Sequence, residues 1–181
     1  MAGLKLKSII TDGDRAYPSI IEALGAIHQK CIFHKMQTLM KKVIKTINKS
    51  KRKITNHTEK IEKNKIKITE FKEKNRGQRG RISKNDKNRQ KFSSRIKKLK
   101  KENRESRAII RQNKTKIKEI EKYVDKISLI FKSKTKETAM KRFQKLKDKI
   151  EELPEEIAIF IEKLSKDINN TLNHIKKRRH T

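Results

Sequence analysis

"VIKTINKSKRKITNHTEKIEKNKIKITEF", Val43 to Phe71, decides how this chain is built. Val43, Ile47, Ser50, Ile54, His57, Ile61, Asn64, Ile68 and Phe71 recur three and four residues apart. Nearly everything between them is Lys, Asn, Thr, Glu or Arg. That spacing is a heptad seam. It extends back through Met40 and Met36 to Phe33, and Arg76-Gly77-Gln78-Arg79-Gly80 breaks it with two glycines. A second seam runs from Phe92 through Leu99, Asn103, Ser106, Ile110 and Asn113 to Phe131. Two seams joined by a Gly-containing turn predict an antiparallel helical hairpin, with arms roughly 60–75 Å long at about 1.5 Å per residue. A turn near Gln78 sets the register. Phe33 then lies near Val124, Met40 near Ile117 and Ile47 near Ile110. Ser50 faces Ser106 and Ile61 faces Ile96, while His57–Leu99 and Val43–Asn113 are mismatches.

Composition agrees with an extended helical shape rather than a large core. Charged residues are 40% of the 181, hydrophobic ones 32% and aromatic ones 4%, with no Trp. The net charge of +31 is placed unevenly, with +1 on residues 1–30 and +30 on the rest. A field of that sign attracts polyanions, and nucleic acid is the default partner. Cys31 is the single cysteine, so there is no disulfide framework. No apolar run is long enough to span a bilayer, and no signal peptide stands at the start. The expected location is cytoplasmic, at the nucleoid when DNA is bound.

The first 33 residues read differently. Leu4 to Ile10 suggests a short strand running into Thr11-Asp12-Gly13. Pro18 suits the first turn of a helix, Ile20, Ile21 and Leu24 form its apolar face, and Gly25 is a C-terminal stop. "AIHQKCIF", Ala26 to Phe33, reads as a second strand, so the opening has the size of one βαβ unit. Past Phe131, Ala139, Phe143, Leu146, Ile150 and Leu153 make one stripe, closed by Pro154. Ile157, Ile161, Leu164, Ile168, Leu172 and Ile175 make another, before a basic tail. The fold is therefore expected to be mainly α. Residues 1–33 form a strand–helix–strand segment, 34–131 a basic coiled-coil hairpin with its turn near 76–80, and 132–181 two shorter helices and the tail.

Asp12 sits where a strand ends in a Gly turn, which is a rigid place for a metal-binding carboxylate and also ordinary turn chemistry. Cys31 and His34 form a C-x2-H pair with His28 three residues upstream. A structural zinc site needs four ligands, so these three do not complete one; the alternative is packing at a strand–helix junction.

"TDGDRAYPSIIEALGAIHQKCIFHKMQTL" resembles the middle of a DDE transposase of the Mutator-like type and its prokaryotic insertion-sequence relatives. The likeness covers Ile9 to about Val43. It implies a ribonuclease H-like catalytic domain interrupted by a helical insertion, which the basic hairpin would be. It makes Asp12 the second of three catalytic carboxylates, with Gly13, His28, Gln29, Cys31 and His34 as the motif around it. In the full enzyme of that family, Mg2+ ions held by three carboxylates activate water or a 3′-hydroxyl. The family's first aspartate would lie upstream of Met1, and no acidic residue follows Asp167 to serve as the third. The chain thus reads as a truncated fragment, without cofactor and inactive alone. Its expected partners are DNA and the missing transposase portions or a second copy, with no membrane. The alternatives are a non-enzymatic basic coiled coil that binds nucleic acid through phosphates, and a structural adaptor that binds none.

Overall fold

The computed structural model describes residues 7–12, 16–74, 87–173 and 175. Gly13 and the expected turn at 76–80 lie outside them. The chain forms two compact units, Met1–Lys45 with Glu119–Thr181, and Thr46–Lys118. The fold is mainly α, as the heptads require. The helices α2 (Ile32–Lys74) and α3 (Lys87–Phe131) dominate it.

The first unit opens on β1 (Ser8–Thr11), α1 (Tyr17–Ala23) and β2 (Ile27–Lys30). The strands pair in parallel, Ser8 opposite Ile27 and Thr11 opposite Lys30, so this is a βαβ unit. Pro18 occupies the first turn of α1. Gly25 ends the helix at φ 58°. Its N–H donates to Glu22 O and that of Ala26 to Ile21 O, a Schellman cap that needs a left-handed residue between them. Of the expected apolar face of α1, only Ile21 is buried. Ile20 and Leu24 are half or more exposed.

The C-terminal stripes become α4 (Lys136–Lys147), a short 3-10 turn (Ile150–Glu152), α5 (Glu155–Ser165) and α6 (Ile168–Thr171). Thr135 caps α4 by accepting from the Thr138 N–H, and Pro154 precedes the acidic first turn of α5. Ile157, Ile161, Leu164, Ile168 and Leu172 are buried with Ala139, Phe143 and Leu146. Ile120, Ile127 and Ile130 of α3 and Leu39 and Val43 of α2 belong to the same unit's core. Phe33, expected to start the seam beside Val124, is instead 68% exposed. The buried face of α2 begins at Leu39.

In the second unit α2 and α3 run antiparallel, but the register departs from the expected one. Asn64 pairs with Asn103, His57 with Ser106 and Lys60 with Glu102. The Phe71 and Phe92 rings meet with centroids 5.5 Å apart. Ser106 therefore faces His57 and not Ser50, and the helices are slid by about one heptad from the arrangement centred on Gln78. A heptad seam repeats itself after such a slide, so apolar spacing alone cannot distinguish the two registers. Unlike residues decide it. This register joins amide to amide, imidazole to hydroxyl, and ring to ring.

Candidate nucleic-acid interface and the sheet edge

Two places carry chemistry, one in each unit. The first is the C-terminal edge of β1 and β2. Asp12 leaves the end of β1 and is exposed. Beside it Thr11 is buried, and its Oγ1 lies 2.9 Å from His28 Nε2. The Cys31 N–H donates to Thr11 O at 2.7 Å, extending the ladder one residue past Lys30. The His28 ring thus reaches Thr11 at the end of β1, next to Asp12 in sequence, and Cys31 is held there by its backbone. His34 does not join them as a ligand. It is exposed in the first turn of α2 with its ring edge-on to Phe33. Cys31 is half-buried with a free thiol.

The rest of the "HQK" segment anchors the C-terminal helix. Gln29 is buried, and its Nε2 donates to Thr171 O at 2.8 Å and to Lys30 O at 3.0 Å. Asn173 Nδ2 donates to His28 O. Lys30 and Lys35 both donate to Asp167 Oδ2, at 2.7 and 2.6 Å. Burial alone raises the Asp167 carboxyl. The hydrogen bonds from Lys30 and Lys35 outweigh it, so the net direction is below the ordinary value. Gln29 Oε1 and Asp167 Oδ1 are buried without a hydrogen-bond partner in the protein. Sequence reading missed the role of Asp167, because a pair so distant in sequence leaves no periodic trace.

The donors at this edge are few. Among the described residues no group of three or more His, Cys, Asp or Glu side chains could hold an ion. Asp12 supplies one hard oxygen ligand at this edge, and two-metal chemistry needs several. These residues do not make such a site on their own.

The second place is a face of α3. Lys97, Lys100, Arg104, Arg107, Arg111, Lys114 and Lys118 recur alternately three and four apart, and all seven are exposed. That spacing lays them in one row, roughly 30 Å long at about 1.5 Å per residue. No ion pair joins any of the seven to a carboxylate among the described residues. Arg104, Arg107 and Arg111 border a shallow groove with Ile110. The carboxylates within this stretch, Glu102 and Glu105, lie on other faces. Glu102 is bonded by Lys60 at 3.1 Å, and that bond is the main cause of its lowered pKa. Sequence reading named no nucleic-acid-binding residue, although the three-four count that found the seam would have found this row if applied to cations.

Comparison of the chain with family models, with characterised proteins and with solved structures finds no match.

Proposed function

We propose that this chain handles DNA as the second-aspartate segment and helical insertion of a DDE transposase-like enzyme. The row of seven cations on α3 carries the DNA part of this reading. An exposed cationic ridge binds duplex phosphates with little regard to sequence, because phosphates carry no base information. The catalytic part is supported by the resemblance around Asp12. It is also supported by β1 and β2 themselves. Parallel sheets are normally covered on both faces and continue into further strands, whereas here Ile10 and Ile27 stand 67% and 57% exposed. Such a sheet suits a piece of a larger catalytic domain, in which Asp12 would be one metal-holding carboxylate among several. The row also suits a non-enzymatic DNA-binding coiled coil, and the sheet edge is what favours the transposase-like reading over it.

The test compares two triple variants by anisotropy on a labelled duplex. Arg104→Gln, Arg107→Gln and Arg111→Gln together are expected to lower affinity and to reduce the salt slope by about three. Lys49→Gln, Arg52→Gln and Lys63→Gln, an equal charge loss off the row, are expected to change the slope by less than about one. Equal effects of both triples contradict an α3 interface.

A further inference from the structure

Within the first unit, the C-terminal end of α3 and α4 enclose a groove of about 490 Å3. Its floor is apolar: the ring of Tyr123, with Leu129 and Leu146. Leu129 is 49% exposed, so it offers apolar surface to the groove. The rim is cationic, formed by Lys126, Lys145 and Lys149. Lys126 Nζ stands 4.8 Å from the centre of the Tyr123 ring, so a positive charge lies against the π face of the ring.

Two further charged groups border the groove and are engaged. Arg142 Nη1 donates to Leu129 O at 2.6 Å and to Ser133 Oγ at 3.0 Å, which caps the end of α3. Asp148 Oδ1 accepts from Gln144 Nε2 at 2.6 Å. The three lysines of the rim make no such cap, so helix capping does not explain them.

We infer that this groove takes one unpaired nucleotide of a DNA strand. A flat apolar floor under a cationic rim matches a ligand with a planar ring attached to an anion. A base stacked on Tyr123 meets both conditions once Lys126 swings off the ring face and joins Lys145 and Lys149 on the phosphodiester. Stacking on an aromatic side chain is indifferent to base identity. A duplex meets only one condition, because its bases are paired and stacked inside. An acidic peptide or an anionic membrane surface matches the rim but brings no ring to the floor. This inference rests on the DNA-handling reading and adds to it a second kind of DNA contact, on a different unit from the cationic row.

The chain has two tyrosines and no Trp, so in Tyr17→Phe the aromatic emission comes from Tyr123 alone. The experiment titrates this variant with short oligothymidylate, with an abasic oligomer of equal charge, with a blunt duplex and with anionic phospholipid vesicles. Saturable quenching by oligothymidylate and by none of the others is expected. Read by anisotropy of a labelled oligothymidylate, Tyr123→Ala is expected to weaken binding about tenfold, and Tyr123→Phe to retain it. Lys145→Ala with Lys149→Ala, at exposed positions that leave the core intact, is expected to weaken it as well. Duplex affinity should stay within about twofold in all three, since it draws on the α3 row, which these variants leave intact. Absence of quenching, equal quenching by the duplex or abasic oligomer, or quenching by vesicles instead overturns the inference. Salt-dependent duplex binding without quenching removes this site and leaves the α3 interface standing. Quenching without duplex binding does the reverse.

Discussion

Asn64 Nδ2 donates to Asn103 Oδ1 at 2.9 Å, and both amides are buried in the hairpin. Elsewhere in this unit Ser50 and Ser106 are buried too, while among its described residues Ile61 is the one apolar side chain buried to the same degree. The seam of the second unit is thus weakly apolar and strongly specified. Asn64→Ala strands the Asn103 amide and is expected to cost about 1–3 kcal/mol. Replacing both residues with Leu removes that penalty and also removes the register lock. The pair His57→Cys/Ser106→Cys tests it, in a Cys31→Ser background. It should cross-link efficiently in the Asn64/Asn103 protein. In the double-Leu protein it should share the yield with Ser50→Cys/Ser106→Cys, the pair of the register slid by about one heptad.

Asp167 ties α6 to β2 and to the start of α2 through two ammonium groups on one oxygen. Asp167→Asn leaves Lys30 and Lys35 facing each other without a counter-charge. It is expected to destabilise the first unit by about 1–3 kcal/mol, read from chemical denaturation. The same clamp has a pH dependence of fixed sign. The folded-state pKa lies below the unfolded one. The stabilisation is therefore complete above the unfolded value, about 4, and is lost as pH falls through the folded value. Acid unfolding of the wild type should steepen in that range, and Asp167→Asn should flatten it.

In the two strands only Thr11 and Gln29 are buried, and the helix between them adds Ile21. A sheet this small is marginal alone. Amides of β1 and β2 are expected to exchange with solvent before those of α5, whose Ile157, Ile161 and Leu164 are almost fully buried. Equal protection of the two segments would show that the sheet is held by more than these contacts.

Catalysis gives a further check. One strand-end carboxylate is too few for two-metal chemistry, and the described residues bring no ligand cluster around Asp12. The chain alone is expected not to nick supercoiled DNA in Mg2+ or Mn2+. Nicking that Asp12→Ala abolishes would mean that carboxylates from elsewhere complete the site.

Much of this fold is local in origin and legible in the sequence. The heptad seams, the Pro18 start and Gly25 stop of α1, and the stripes from Ala139 to Ile175 each follow from spacings of a few residues. What escaped was long-range. Hairpin register depends on which of two equivalent slides brings Asn64 to Asn103 and Phe71 to Phe92, and a periodic seam does not encode that choice by itself. Phe33 fitted the seam's count yet lies exposed, because apolar spacing does not say where a partner helix ends. The work of Gln29 and Lys30 in holding α6 depends on residues far along the chain. The cationic row on α3 went unread, because a chain with 52 Lys and Arg hides one ordered row among many cations.

The most direct measurement of the central claim is duplex affinity of the intact chain as a function of salt. If the seven α3 cations each displace a counterion, log affinity falls linearly with log salt with a slope of about −6. Duplexes of unrelated sequence should give the same line. A slope near zero, or no binding at low salt, would contradict the claim that this chain grips DNA through its phosphates.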